Sequence, residues 1–98
     1  MTINRKENGA CVTLEIEGRL ETTTAPELDV IVKNELDGVE QLVFDFNKLE
    51  YISSAGLRVL LAAQKKMNTQ GKMKVVGANE IVNEIFEVTG FSDILTIE

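Results

Sequence analysis

The chain has 98 residues, with 16 acidic against 10 basic side chains, a net charge of −6, one cysteine and no histidine or tryptophan. Without histidine there is no Ser-His-Asp triad, no Cys-His dyad and no histidine metal ligand, and a lone cysteine forms no internal disulfide. The proportions, 44% hydrophobic and 27% charged, are those of one ordinary soluble domain spanning 1–98, and the acidity argues against nucleic acid or an anionic membrane as the main partner.

Met1 to Glu7 is polar and lacks the apolar core of a signal peptide. No apolar run approaches the roughly 20 residues that cross a bilayer. The longest is Val59-Leu60-Leu61-Ala62-Ala63. The expected location is the cytoplasm. Asn8-Gly9 predicts a tight hairpin joining a short edge strand, 2–7, to a strand over 11–17, where Val12, Leu14 and Ile16 alternate with Thr13, Glu15 and Glu17. Thr24-Ala25-Pro26-Glu27 has the form of a capping box with proline in the first turn. Leu28, Ile31, Val32 and Leu36 then recur at helical spacing, and Gly38 is the stop.

Residues 41–46 are nearly all apolar and predict a central strand buried on both faces. A second helix fits 54–69, with Leu57, Leu60, Leu61 and Gln64 on one face, widened by Ala63 and Met67. Lys65 and Lys66 suit its negative end, and Gly71 closes it. Lys72 to Val76 alternates as a strand. Asn79 caps a third helix carrying Ile81, Val82, Ile85 and Phe86 and ended by Gly90, and 94–97 predicts a last short strand. The order β-β-α-β-α-β-α-β defines an α/β domain. Its sheet is mixed but mostly parallel, opens on an antiparallel hairpin and is packed with three main helices.

Chemistry gathers at the carboxyl ends of parallel strands. Here that place is Asp45 to Arg58, where Ser53 and Ser54 open the second helix and Ala55 and Gly56 leave little bulk beside them. In one reading Ser53 is an N-cap, worth about 1 kcal/mol, and Gly56 a packing glycine. In the other a serine accepts phosphate, which a helix N-terminus holds well through its free N–H groups and positive dipole end. A serine nucleophile is the poorest option, since no histidine activates it and Gly-x-Ser-x-Gly is absent. The chain also lacks a Walker motif, so no cofactor, nucleotide or metal ion is expected.

Tyr51-Ile52-Ser53-Ser54-Ala55-Gly56-Leu57-Arg58-Val59-Leu60-Leu61 resembles the signature of the STAS domain in bacterial anti-sigma factor antagonists. Leu14-Glu15-Ile16-Glu17-Gly18-Arg19-Leu20-Glu21 with Thr24-Ala25 resembles that family's second strand, its Gly-x-Leu-Asp turn and its first helix. Leu42-Val43-Phe44-Asp45-Phe46 resembles its central strand, and Gly90-Phe91 with Ile94 and Leu95 its C-terminal end. The resemblance implies a STAS-type fold and a non-enzymatic switch. The unphosphorylated protein binds an anti-sigma factor, commonly a serine kinase, and frees the sigma factor. Phosphorylation of one serine breaks the complex, and a serine phosphatase resets it. The acceptor position falls on Ser54, with Ser53 as the alternative. The implied partner surface is Glu21, Thr22, Ser53, Ser54, Ala55, Gly56, Leu57 and Arg58. A monomer or weak dimer is expected. A constitutive STAS scaffold or adaptor in a transport or stress-signalling complex is the competing function.

Two positions depart from the family pattern. Ser53 stands where aspartate is usual, and Glu21 where aspartate often follows Gly-x-Leu. Asp45, a charge in an apolar strand, is expected either to hold the serine loop through backbone hydrogen bonds or to sit in water at the strand end. Arg58 is a wet surface arginine or a contact to an acidic partner group. Cys11 reads as a plain strand residue, and Met67 and Met73 as core filler. Glu80, Glu84 and Glu87 read as a solvated helix face.

Overall fold

In the computed structural model, which describes residues 1–98, β1 (Thr2–Asn8) and β2 (Cys11–Leu20) form the antiparallel hairpin. Gly9 supplies the positive φ of its turn, 62°, while Asn8 belongs to the strand and pairs with Cys11. α1 (Ala25–Asn34) follows, then β3 (Gln41–Ile52), α2 (Ser54–Asn68), β4 (Lys72–Val76) and α3 (Glu80–Thr89). The sheet order is β1-β2-β3-β4, with β2, β3 and β4 parallel. The α/β architecture, the mixed sheet and the three helices are as the sequence predicts. The last strand is not: Phe91–Asp93 forms a 3₁₀ turn, and 94–97 contributes a single bridge from Ile97 to Val75. That short segment still covers the free edge of β4. Val75 N–H donates to Thr96 O and Glu98 N–H to Val75 O, each at 2.8 Å.

The helices cover one face of the sheet. Register aligns Val12, Leu42 and Met73 in one row and Leu14, Phe44 and Val75 in the next, and all six are buried. The opposite rows, such as Thr13, Val43 and Lys74, are only half-buried. The run 41–46 is therefore not buried on both faces. Its apolar density reflects Phe44 and Phe46 filling the core, their rings 5.8 Å apart.

β3 has 12 residues opposite the 10 of β2, and its pairing slips after Glu15 and again after Gly18. Each slip is a β-bulge, one extra residue in β3. The buried positions show it: Leu42, Phe44 and Phe46 are two apart, then Leu49 and Ile52 follow at intervals of three. Asp45 fastens the first bulge, its Oδ1 accepting from Asn47 N at 3.0 Å and from Asn47 Nδ2 at 2.7 Å. It thus holds its own strand, not the serine loop.

Several local expectations are corrected. Thr24 stands at the start of α1, but its side chain makes no capping bond to the helix. α1 ends at Asn34, and Leu36 reaches the core from the following turn. The inward face of α2 is Gly56, Leu57, Val59, Leu60, Ala63 and Met67, whereas Leu61 and Gln64 are only half-buried. Gly71 is not a left-handed stop. A Cβ there would lie 2.0 Å from Glu40 O, so only glycine lets β4 begin against that loop. α3 matches its predicted ends: Asn79 Oδ1 accepts from Val82 N at 2.8 Å, and Gly90 takes φ 81°. Its Ile81, however, is 57% exposed.

Candidate functional site

The second bulge carries β3 out to Ile52, level with the end of β2. Arg19 pairs with Tyr51 and Leu20 with Ile52, and Ser53 N–H donates to Leu20 O at 2.9 Å. The β2–α1 turn and the start of α2 therefore lie side by side. The turn closes on Thr24, whose Oγ1 accepts from Glu21 N at 2.9 Å and donates to Arg19 O at 2.8 Å. That is the use of the threonine the sequence presented as a cap.

Ser53 is the residue before α2, extended at ψ 177°, and its carbonyl accepts the first helical bond from Leu57 N–H at 3.0 Å. Its hydroxyl makes no capping bond; Ser53 Oγ is buried without a partner. Ser54 opens the helix and is exposed. Ala55 is half-buried and Arg58, one turn on, is exposed. Gly56 and Leu57 turn inward and are buried. A Cβ on Gly56 would meet Leu20 Cγ at 2.7 Å and Ile52 Cγ1 at 2.8 Å. Those two residues shape the site by packing and offer it no side chain.

Glu21 and Thr22 come from the neighbouring turn. A shallow depression of about 300 Å³ is lined by Arg19, Glu21, Thr22, Thr23, Tyr51 and Ser53. A second, of about 270 Å³, lies between Thr22, Pro26, Asp29, Ala55, Arg58 and Val59. Thr22 borders both, so Glu21, Thr22, Ser53, Ala55 and Arg58 are brought together around the start of α2. Arg19 and Tyr51 complete the surface. The Arg19 guanidinium lies 4.7 Å over the Tyr51 ring, and its Nε donates to Glu21 Oε2 at 3.1 Å. This stacked pair is invisible without the strand register that sets Arg19 beside Tyr51. A larger depression, about 500 Å³, lies along the β4 edge at Gln41, Lys72 and Thr96 and holds none of these residues. Asp37 marks the far end of α2. Its carboxyl is held below the usual carboxylate value because Lys66 Nζ donates to Oδ1 at 2.8 Å and adds its positive charge.

The chain is thus an α/β domain whose sheet is clad on one face, with the exposed Ser54 at the start of α2 and two shallow depressions beside that helix start. The model of the STAS domain family matches residues 2–98, and the chain belongs to that family. BtrV of Bordetella bronchiseptica, named as an anti-sigma factor antagonist, is 33% identical over 84 residues, 84% of this chain and 72% of that one. The crystal structure of an anti-sigma factor antagonist from Mycobacterium paratuberculosis superposes with a TM-score of 0.88 at 22% identity, covering 98% of this chain and 83% of that one. The Bacillus cell fate determinant SpoIIAA, solved in its phosphorylated form, superposes with a TM-score of 0.78 at 12% identity, covering 99% and 91%. No helix of the chain is long and apolar enough to cross a membrane.

Proposed function

We propose that this protein is an anti-sigma factor antagonist, a binding module rather than an enzyme, switched by phosphorylation of Ser54. In its unmodified form the surface of Glu21, Thr22, Ser53, Ser54, Ala55 and Arg58 docks on an anti-sigma factor that is also a serine kinase, and the sigma factor is freed. Such a partnership is cytoplasmic. The observation that carries this reading is the contrast between two adjacent hydroxyls: Ser54 is exposed at the first position of α2, whereas Ser53 Oγ is buried. Ser54 therefore presents its hydroxyl directly to a kinase, whereas the Ser53 hydroxyl is covered where it stands. The names of the relatives and the phosphorylated SpoIIAA structure support the same reading.

In the transfer step Ser54 Oγ attacks the γ-phosphorus of ATP, ADP leaves, and the hydroxyl proton passes to a base of the kinase. The product carries nearly two negative charges at the positive end of α2, which stabilises it there. The same charge in a closed interface is desolvated and repelled, at a cost of several kcal/mol, and each 1.4 kcal/mol is about tenfold in affinity. A serine phosphatase restores the binding form. The test is incubation with ATP and a serine-kinase anti-sigma factor from the same organism, with phosphate read by intact mass and binding by calorimetry. Ser53→Ala gains one phosphate and Ser54→Ala gains none. Ser54→Asp binds at least about a hundredfold more weakly. Phosphate on Ser54→Ala, or undiminished binding by Ser54→Asp, overturns the reading.

A further inference from the structure

Five of the six net negative charges fall in the last quarter of the chain. Residues 1–74 carry 11 acidic and 10 basic side chains, whereas 75–98 carry five acidic and no basic ones. Three of the five, Glu80, Glu84 and Glu87, lie on α3, and all three are exposed. None of the molecule's seven ion pairs includes them.

The same helix leaves apolar surface in water. Val82 and Phe86 face the core, but Ile81 is 57% and Val88 79% exposed, with half-buried Ile85 between them. Residues 81, 85 and 88 follow one another at intervals of four and three, the spacing of a coiled-coil seam. They make one stripe along the helix, about 10 Å long at 1.5 Å per residue. Residues 80, 84 and 87 repeat the same intervals one position earlier. An unpaired carboxylate row therefore runs beside the apolar stripe. The other side of the stripe is the domain's own core, through Val82 and Phe86. α3 is pinned to the sheet at its start, where Asn79 Nδ2 donates to Leu49 O at 3.1 Å, so the stripe is presented on a fixed support.

We propose that the exposed face of α3 docks a basic amphipathic helix of a partner protein, its apolar seam on Ile81, Ile85 and Val88 and its lysines or arginines along one flank, against Glu80, Glu84 and Glu87. The charge sign selects the partner chemistry, and the four-three spacing selects a helix over an extended strand. The patch is small, so the contact is weak and transient. It does not depend on the Ser54 switch.

The test uses the full chain, labelled for amide NMR, and a synthetic helical peptide with leucines at the four-three spacing and lysines on one flank. Shift changes concentrate on residues 80–89. Val88→Asp weakens binding about tenfold, and raising the salt weakens it several-fold. Val88 is mostly exposed, so the variant folds. Ser54→Asp binds the peptide within about twofold of wild type, since Ser54 belongs neither to the apolar stripe nor to the carboxylate row. The proposal is overturned if shifts centre elsewhere, if a peptide with glutamates for lysines binds as well, or if Ser54→Asp weakens the peptide as Val88→Asp does. It is also overturned if sedimentation shows α3 to be a self-association face, with a dimer that Val88→Asp dissolves and no peptide shifts on α3.

Discussion

Alanine at Gly56 tests how closely α2 is seated on the strands beneath its first turn. The added Cβ would lie 2.7 Å from Leu20 Cγ, 2.8 Å from Ile52 Cγ1 and 3.1 Å from Leu20 Cδ2. Carbon atoms settle at about 3.5–4.0 Å, so roughly an ångström must open against two side chains at once. Neither has room to give, since Leu20 is 0% and Ile52 1% exposed. Overpacking of this kind costs about 1–3 kcal/mol, here the upper half of that range. The helix preference for alanine over glycine returns about 0.5–1 kcal/mol. The net expectation is a loss of about 1–2 kcal/mol, a fall in Tm of roughly 4–16 °C for a domain of this size. Urea unfolding followed by circular dichroism measures it. A second variant isolates the cause: in a Leu20→Ala background only the Ile52 contact at 2.8 Å remains, and Gly56→Ala costs less than it does in wild type. A rise in Tm for Gly56→Ala alone refutes the close approach.

Two further outcomes follow from the same region and from the far end of α2. Ser53→Ala is neutral or stabilising in urea unfolding, because the hydroxyl it removes is buried without a hydrogen bond; a loss of about 1 kcal/mol would show that the hydroxyl caps the helix after all. Asp37 is held low by the Lys66 hydrogen bond and charge, so its contribution to stability is present above the ordinary carboxylate value and fades as pH falls through the depressed one. Carboxyl NMR therefore finds Asp37 titrating higher in Lys66→Met, and acidification removes more stability from wild type than from the variant.

The elements that obey a plain period were legible. β2 and β4 follow their alternation, Val82 and Phe86 follow the helical spacing of α3 into the core while Ile81 does not, and Asn79 and Gly90 mark the ends of α3 as caps do. What was not legible came from long-range packing. Residues 47–52 read as a loop because two bulges break the alternation of β3, and a bulge has no residue signature of its own. Thr24-Ala25-Pro26-Glu27 has a capping box's letters, but the turn before it uses the threonine hydroxyl first. Gly71 looked like a helix stop because a close approach to Glu40 leaves no trace in the local sequence. At the candidate site the serines and Arg58 were legible as neighbours of a strand end, whereas Glu21 and Thr22 came with the resemblance to the STAS family. Arg19 on Tyr51 was not, because it depends on the register between β2 and β3.

The way the start of α2 is fixed bears on how a switch there works. Ser53 N–H is held by Leu20 O, Leu57 N–H by Ser53 O, and Gly56 is wedged against Leu20 and Ile52. Moving the first turn means breaking backbone hydrogen bonds and repacking fully buried side chains, each costing on the order of 1–3 kcal/mol. The Ser54 side chain meets no such constraint, since it stands outside the packed face. Under the proposed switch, a phosphate on it would act by its charge where it stands, with no need to move the helix. The amides of 53–57 would then shift on phosphorylation while those of the sheet beneath, from Leu42 to Phe46, stay where they are. Widespread shifts through β3 would mean that the junction itself rearranges, and that the close seating of Gly56 is part of the switch instead of its fixed support.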